Sequence, residues 1–442
     1  MASTASTAST ASTRLSARLC LVCLVALSVS LPMAWISLAK VLLFVAGLGY
    51  LGANWIYQRN DTAFNQLWTP RAVLALVVVS ALSLAWTEVE LPVALASLLK
   101  HAKLVGIVLL IGLIRTEREA RLAMLVFAAG QIFVLLSSWL LYAGIPLPWI
   151  LHEQGAQATQ NTLYVVFSGS YLDQSIMFGA VAAVFWHLRT EKLWPQSMGT
   201  GMALLALANV FLVLKGRSGY AIALTSLALA AMWAMPRRLQ LLTLILTPVL
   251  VLSGLSLGSA QVQERMSKIW HESKNYVQAE QQDQQDQQEQ QEQQETASSS
   301  GWRLNAWRRS LQAIQEQPWH GHGVGSWTPA VKRLEGSAAE RIFGAGNNSN
   351  PHQEYLLWGV ELGIGGILLL CALLACVVRD ALRFSTACKR AACSVAAATA
   401  MACLFNSALY DDLMGDYLCV SLGLLLALGL RQSQQNIDNI AR

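Results

Sequence analysis

Charged residues are scarce in this sequence: only 13% of its 442 residues are Asp, Glu, Lys or Arg, whereas 54% are hydrophobic. Soluble globular domains carry about twice that charged fraction. A helix needs about 20 mostly apolar residues to cross a bilayer, and such runs recur along almost the whole chain. The composition therefore argues against a soluble enzyme and predicts an all-α, polytopic integral membrane protein.

Several motifs of common enzymes and pumps are also absent. The sequence has no Walker phosphate-binding loop, no H-E-x-x-H and no nucleotide-binding glycine fingerprint at a strand-to-helix turn, so a nucleotide-driven pump or a zinc enzyme is not expected. The single C-x-x-C, at Cys20 and Cys23, lies in an apolar run and is expected to pack within a helix. None of the eight cysteines falls between residues 259 and 352, so no disulfide framework is predicted there.

Apolar runs between helix breakers predict about twelve membrane-spanning helices. The chain begins with an Ala-Ser-Thr repeat that cannot form a core, so residues 1–17 are predicted to be a disordered cytoplasmic tail. The spans are predicted at residues 18–34, 37–56, 71–86, 92–114, 121–143, 171–188, 198–214, 219–235, 239–258, 353–378, 391–410 and 417–430.

Basic residues are nearly missing from every second short loop. If the N-terminus is cytoplasmic, Lys215 and Arg217 are the exceptions in the short outward loops. This bias predicts that both termini lie in the cytoplasm. It also explains most of the net charge of +5. Nucleic acid is therefore not an expected partner. The inward loops hold Arg59, Arg71, Arg115, Arg118, Arg121, Arg189, Lys192, Arg237, Arg238, Arg379, Arg383, Lys389, Arg390 and Arg431.

The predicted domain layout contains one large polar loop. Spans one to nine occupy 18–258, the loop 259–352 faces the periplasm, spans ten to twelve occupy 353–430, and 431–442 form a cytoplasmic tail. Within the loop, 278–300 is a low-complexity Gln/Glu segment. Residues 301–316 have apolar positions at helical spacing, which predicts an amphipathic helix on the membrane surface or over a cavity. Pro318 ends this helix and a glycine-rich turn follows it.

Arg217 lies in the tight turn KGRSGY between the seventh and eighth predicted spans. A lone arginine there could simply reach lipid headgroups. Lys215 breaks the same charge bias two residues earlier, and two exceptions in one turn favour an anionic ligand. A guanidinium binds phosphate bidentately, so we expect this turn to bind a lipid-linked diphosphate.

Three further basic residues are candidates for the same ligand. Arg303 lies one helical turn before Trp307, where it could bind an anion or stack on the tryptophan at the surface. Arg265 follows the ninth span and could equally be a solvated charge. Lys103, with Lys100, falls inside the fourth predicted span, where lysines normally face a cavity or a partner. If that segment is an interfacial helix, both lysines contact headgroups instead.

His352 follows Pro351 at the start of the tenth predicted span. Because proline is favoured in the first turn of a helix, the imidazole should lie near the positive end of the helix dipole, which lowers its pKa. A neutral imidazole can act as a general base. The alternative is a capping histidine that bonds the backbone.

Three carboxylates, those of Asp411, Asp412 and Asp416, cluster after the eleventh predicted span. They could bind a divalent cation, but a solvated turn that caps a helix explains them as well. The sequence predicts neither a metal site nor a cofactor.

Two stretches, SGWRLNAWRRSLQAIQEQPWHGHGVGSW and NPHQEYLLWGVELGIGG, resemble the membrane family of O-antigen ligases, O-antigen polymerases and protein O-oligosaccharyltransferases. In topology the resemblance covers most of the chain. In the ligases an arginine at an outward turn, an arginine in the large loop and a histidine at its end are required. The matching positions here are Arg217, Arg303 and His352, although relatives often read Ser-Arg-Gly where this chain has Gly216, Arg217 and Ser218.

The resemblance implies a GT-C-like glycosyltransferase of the bacterial inner membrane, with its active site facing the periplasm. The donor would be O-antigen on undecaprenyl diphosphate, and the acceptor a sugar hydroxyl of the lipid A core. Transfer would be inverting and independent of metal, with His352 taking the acceptor proton. The diphosphate would be bound by Arg217, Arg303, Lys215, Arg265 and Lys103.

Other functions remain open at this point. An O-antigen polymerase would use the same donor with a growing chain as acceptor, and an oligosaccharyltransferase would use a protein hydroxyl. A transporter or lipid flippase would also have a dozen spans, but it would more often show internal repeats and paired broken helices. No repeat is evident between the halves, and the candidate groups gather on one face, which favours an enzyme.

Overall fold

The computed structural model describes residues 17–53, 61–150, 163–214, 216–258, 267, 299–335 and 350–441. These residues are mostly helical and include no strand. The all-α prediction is therefore confirmed for the described part of the chain. Five regions named above lie outside it: the N-terminal tail up to residue 16, Arg59, Lys215, Arg265 and the Gln/Glu-rich segment up to residue 298.

The helices are numbered here in chain order. They are α1 (Ala17–Ser28), α2 (Met33–Ala53), α3 (Thr62–Asn65), α4 (Thr69–Leu82), α5 (Leu91–Ala102), α6 (Val105–Leu113), α7 (Glu117–Tyr142), α8 (Tyr171–Leu188), α9 (Gln196–Ala208), α10 (Arg217–Ala234), α11 (Gln240–Gly258), α12 (Ser299–Glu316), α13 (Trp327–Glu335), α14 (Glu354–Ala381), α15 (Thr386–Phe405) and α16 (Asp412–Ala441). A π-helical turn, Asn209–Val213, extends α9.

Every predicted span contains a helix, but not every helix is long and apolar enough to cross a membrane alone. Seven in the described part of the chain are: α2, α7, α9 with its π turn, α11, α14, α15 and α16. The bent pair α5 and α6 would make an eighth. The other helices at predicted spans, α1, α4, α8 and α10, are shorter or less apolar. The chain is a polytopic membrane protein, and the number twelve stays a prediction.

Two predicted boundaries differ from the structure. The segment 92–114 is not one straight helix, because α5 and α6 meet at a 41° bend next to Lys103. The last helix continues to Ala441, well beyond the predicted end at residue 430, so the predicted tail is helical. Polar residues can continue a helix after it leaves the apolar region, and hydropathy does not detect that extension.

The helix α16 forms the centre of the bundle. Its residues 413–432 are buried throughout, and it packs against α6, α7, α8 and α15. A helix that is apolar on every side must be surrounded by other helices or by lipid. By contrast, no residue of the apolar segment Arg237–Gly254, which includes most of α11, is buried. That segment therefore has the composition and exposure of a lipid-facing helix.

Predicted cytoplasmic segments meet at one end of the bundle. There the Arg18 guanidinium forms an ion pair with Glu119, and Arg431 Nη2 lies 2.9 Å from Asp61 Oδ2. We call this the basic end. The helix α14 runs from it to the opposite end, where α12 and α13 pack on the first turns of α14 through a shared apolar cluster. We call that second end the loop end.

The segment 318–326, here called the glycine loop, docks into a break in α14. At Gly363 the backbone leaves the helical conformation (φ 68°, ψ −162°), which frees N–H and C=O groups from helical bonding. The glycine loop satisfies them: His322 N–H donates to Val360 O (2.9 Å), and Ile364 N–H donates to Pro318 O (2.8 Å). Buried backbone groups need such partners, so break and loop require each other.

Two glycines make this docking possible. Gly321 has φ +63°, and a Cβ atom there would lie 2.5 Å from the backbone of Glu361. Gly323 has φ +86°, and its Cβ would lie 2.4 Å from Thr87 Cα. Both positions combine a left-handed backbone with contact distances that exclude a side chain. The glycine loop is thus clamped between α14 and the connection from α4 to α5.

Candidate active site

Arg217 is the first residue of α10, and two glycines set its position. A Cβ atom would lie 2.4 Å from Ser175 Oγ if added to Gly216 and 2.2 Å from it if added to Gly219. The first turn of α10 can lie directly on α8 only because both residues lack a side chain. This packing places Arg217 beside the start of α8.

The helix α12 carries Arg303 to the same region. Two indoles hold α12 in place: Trp307 Nε1 donates to Pro351 O (3.0 Å), and Trp327 Nε1 donates to Ser310 Oγ (2.8 Å). The amphipathic helix predicted for 301–316 is therefore confirmed. Its apolar face packs on α14 inside the protein.

The two arginines influence each other. Burial lowers the pKa of the Arg303 guanidinium, and the positive charge of Arg217 lowers it further, while Tyr171 acts in the opposite direction. Among the described residues no carboxylate forms an ion pair with Arg303. Neighbouring guanidinium groups repel each other unless an anion binds near both. The pair is therefore well suited to a diphosphate, which offers several oxygens to planar donors.

His352 adopts a left-handed backbone conformation (φ 49°) immediately before α14. Its N–H donates to Asn350 Oδ1 (2.9 Å), and its Nδ1 lies 2.9 Å from Asn406 Oδ1. The same oxygen accepts a bond from Ser407 N–H (3.0 Å), which identifies it as the acceptor. Nδ1 of His352 must then be the donor, which leaves the lone pair of a neutral ring on Nε2.

Electrostatics favour that neutral ring. Burial lowers the pKa of His352, and the charge of Arg303 lowers it further, against the opposing effects of the Asn406 hydrogen bond and of Asp411. The lowered pKa agrees with the prediction from sequence, but its cause differs. The dipole of α14 was the expected cause, whereas burial and Arg303 lower the pKa of His352 in the structure. The imidazole is thus neutral near pH 7 and able to accept a proton.

Trp302 and Asn406 contact His352 and were not predicted from the sequence. The Trp302 ring lies edge-on to the imidazole, with ring centroids 5.3 Å apart. Asn406 ends α15, and its position immediately after a long apolar run is a signal that could have singled it out. The indole restricts the rotation of the imidazole, and the amide selects its tautomer.

Glu354, in the first turn of α14, secures the turn between α15 and α16. Its side chain is fully buried; Oε2 accepts the N–H groups of Leu409 (3.0 Å) and Tyr410 (3.1 Å), and Oε1 accepts the Trp358 indole (2.9 Å). Both oxygens are therefore occupied by protein donors. Glu354 holds the turn that follows Asn406 in place, and it is poorly placed to replace His352 as a base.

Lys103 lies on the same turn. Its ammonium donates to the backbone oxygens of Asp411 (2.6 Å) and Tyr410 (3.2 Å), and it lies 3.5 Å from Asp412 Oδ1. These contacts show an ammonium bonded to the protein backbone. Lys103 thus helps to shape this turn, and its role as a ligand of the diphosphate stays a prediction.

The three aspartates after α15 do not converge on one point. Asp411 Oδ1 caps α16 by accepting Met414 N–H (3.1 Å), and Asp416 Oδ2 pairs with Lys40 (2.7 Å). Across the described residues no group of three metal-binding side chains is found. The helix-capping alternative therefore accounts for Asp411.

Asp173, in the first turn of α8, is a further residue that the sequence analysis missed. Its carboxyl group lies near enough to Asp411 for the two to interact electrostatically. Two residues earlier, Tyr171 interacts with Arg303. The region therefore combines two arginines, a neutral histidine and two carboxyl groups, contributed by α8, α10, α12 and the two ends of the α14–α15 hairpin.

Comparison with known proteins supports this reading of the site. Residues 201–371 match the family model described as O-antigen ligase, and this range includes Arg217, Arg303 and His352. No curated protein matches the chain.

Proposed function

Because residues 201–371 match the family model described as O-antigen ligase, we propose that this chain transfers O-antigen polysaccharide from undecaprenyl diphosphate to a sugar hydroxyl of the lipid A core. The reaction takes place at the periplasmic face of the bacterial inner membrane. One observation carries the proposal: His352, whose bond to Asn406 leaves the lone pair of the neutral ring on Nε2, interacts with Arg303, and Arg303 interacts in turn with Arg217.

The guanidinium pair stabilises the leaving group. As the bond between the anomeric carbon and the phosphate oxygen breaks, its electron pair stays on the diphosphate, whose negative charge grows. Donors that are already in place stabilise such charge without reorganisation, and removing one typically costs about 100- to 1000-fold in rate. Lys215 and Arg265 remain proposed as further ligands of the diphosphate. Lys103 shapes the neighbouring turn.

His352 activates the acceptor. Its Nε2 takes the proton of the acceptor hydroxyl while that oxygen attacks the anomeric carbon from the face opposite the diphosphate. One C–O bond forms as the other breaks, so the configuration inverts and no covalent sugar–enzyme intermediate is needed. The proton on Nε2 gives an imidazolium, which the nearby Asp411 stabilises electrostatically.

The polymerase and oligosaccharyltransferase alternatives share this chemistry and differ only in the acceptor. A transporter has no need for a histidine of defined tautomer beside two arginines. The geometry therefore favours transfer, and the acceptor is the property to establish by experiment.

A gene deletion would identify the acceptor. We expect lipopolysaccharide of the deletion strain to contain core without O-antigen, with polymer accumulating on the lipid carrier, and the wild-type gene to restore the polymer. His352→Gln should fail to restore it although the protein inserts normally. Core bearing a single repeat unit in the deletion strain would instead identify a polymerase. Unchanged lipopolysaccharide with loss of glycan from proteins would identify an oligosaccharyltransferase.

A further inference from the structure

His322, in the middle of the glycine loop, is buried, and both nitrogens of its ring face acceptors. Nδ1 lies 2.6 Å from Glu88 Oε1, on the connection from α4 to α5, and Nε2 lies 3.0 Å from Ala313 O, near the end of α12. Only 2% of the residue is exposed to solvent. The ring therefore bridges two elements that are more than 200 residues apart in the chain.

Counting protons defines the state of this ring. A neutral imidazole has one N–H donor and one acceptor nitrogen, so it can bond only one of two acceptors. The carbonyl of Ala313 can only accept. Glu88 also forms an ion pair with Arg333 Nη1 (2.9 Å), which requires the carboxylate to be ionised. Both contacts are therefore hydrogen bonds only when the His322 ring carries both protons.

The charged groups around the ring support this state. Burial alone would raise the pKa of Glu88, but the bond from His322 and the ion pair with Arg333 hold it below its ordinary value. From α12, Glu316 pairs with the same Arg333 (2.7 Å). The Ala313 carbonyl lies in the last turn of α12, where the helix dipole favours a positive charge. From α14, Glu361 accepts Gly325 N–H (2.9 Å).

The bridge bears on the candidate active site because α12 also carries Arg303. Arg303 and Ala313 are ten residues apart, about 15 Å along a helix that rises 1.5 Å per residue. We propose that doubly protonated His322 is a positioning residue, which holds the end of α12 against the α4–α5 connection and thereby sets the place of the Arg303 guanidinium. This role rests on the proposed function. Loss of the second proton breaks one of the two bonds and loosens α12.

Transfer needs opposite protonation states of two histidines. Proton abstraction needs neutral His352, so the rate falls as the medium becomes acidic. Positioning of Arg303 needs charged His322, so the rate falls as the medium becomes alkaline. The wild-type protein should therefore show a bell-shaped dependence of kcat on pH, with one limb from each histidine.

The direct test measures α12 itself and does not depend on activity. Hydrogen–deuterium exchange of the full-length protein in lipid nanodiscs is followed at pH 6 and pH 8.5, with rates corrected for the intrinsic effect of pH. In the wild type we expect exchange in 310–326 to be about tenfold faster at the higher pH, since a charged hydrogen bond contributes about 1.4 kcal/mol or more. His322→Gln has no group that gains or loses a proton between these two pH values, so its corrected exchange rate should be the same at both.

Two matched variants complete this test. His320→Gln changes an exposed imidazole of the same loop and should keep the wild-type pH response. Glu88→Gln removes the ionised acceptor, and the double variant with His322→Gln should exchange no faster than either single variant, because both remove the same bridge. Equal corrected exchange of the wild type at both pH values would overturn the proposal, as would a wild-type response in His322→Gln.

The pH dependence of kcat for O-antigen transfer tests whether the His322 bridge affects the reaction. We expect His322→Gln to lower kcat about tenfold at pH 6, to abolish the alkaline limb and to leave the acid limb in place. An alkaline limb that persists in His322→Gln would contradict a role in positioning Arg303. A pH-dependent exchange response without any O-antigen transfer would leave the bridge intact and refute the proposed function alone.

Discussion

Single residues at the loop end combine backbone strain with defined hydrogen bonds. His352 has φ 49°, a conformation that costs a non-glycine residue about 1–3 kcal/mol. Bonds to Asn350 and Asn406 offset this cost and aim the ring. Such strain is typical of positions where the direction of one side chain matters more than its contribution to stability.

Asn406→Asp should move the acid limb of the pH profile towards higher pH. A carboxylate bonded to Nδ1 stabilises the imidazolium, so the pKa of His352 rises. Because the base works only when neutral, the rate of the variant is lost at a higher pH than in the wild type, whose lowered pKa preserves activity below pH 6.5. The measurement is the initial rate of transfer against pH.

The control for this prediction is Asn406→Ala, which removes the acceptor without adding charge. It should lower the rate through loss of the defined tautomer, with no upward shift of the acid limb. An unchanged midpoint in Asn406→Asp would show that His352 is not the group whose protonation limits the rate.

Arg303→Lys should restore little of the activity lost in Arg303→Ala, for which we expect a drop of about 100- to 1000-fold. A lysine supplies the charge but not the planar fork that binds two phosphate oxygens. The assay compares kcat at saturating donor. Arg308→Ala changes an exposed arginine of the same helix and should keep the wild-type rate. Full activity in the lysine variant would mean that charge alone suffices.

At the scale of elements, the break in α14 and the glycine loop act as one unit. The break offers unpaired backbone groups, and the loop pairs with them. The same contact fixes the end of α12 that is far from Arg303, and Glu354 fixes the turn after α15. Helices that are distant in sequence are thus connected at the loop end by hydrogen bonds to backbone groups.

Gly321→Ala should destabilise the protein and reduce the yield of folded material. The left-handed backbone alone costs alanine about 1–2 kcal/mol. The added Cβ would also lie 2.5 Å from the backbone of Glu361, which cannot move without disturbing α14. Thermal unfolding in detergent measures the effect. Gly201→Ala, in a helix with no atom within 4 Å of the added carbon, is the control and should unfold at or above the wild-type temperature.

At the scale of the whole molecule, the two ends of the bundle carry different polar groups, and its centre and outside differ in exposure. The ion pairs of Arg18 and Arg431 lie at the basic end, and the candidate active site lies at the loop end. Between them the central α16 is buried and α11 is exposed on the outside. This division is what a protein with basic cytoplasmic loops and a periplasmic active site requires.

Reporter fusions test that orientation. Fusions at residues 116 and 190, at the basic end, should report the cytoplasm, and a fusion at residue 300, at the loop end, should report the periplasm. The positive-inside bias is the physical reason. A cytoplasmic signal at residue 300 would overturn both the topology and the placement of the active site.

Local patterns in the sequence determined much of this description. Apolar runs located a helix at every predicted span, and seven of these helices are long and apolar enough to cross a membrane alone, which takes about 20 apolar residues. The spacing of apolar residues identified α12, and the two arginines and the histidine that the sequence singled out lie at one end of the bundle.

Tertiary structure alone decided which groups surround those residues. Asn406 and Asp173 were not recognised as part of the site, and the bonds of Lys103 to the turn after α15 were not foreseen. Each of these residues makes contacts that join separate helices, such as the bond across 54 residues between His352 and Asn406. Hydropathy and helical periodicity describe one segment at a time. A hydrogen bond between segments depends on how the bundle packs, which no local pattern records.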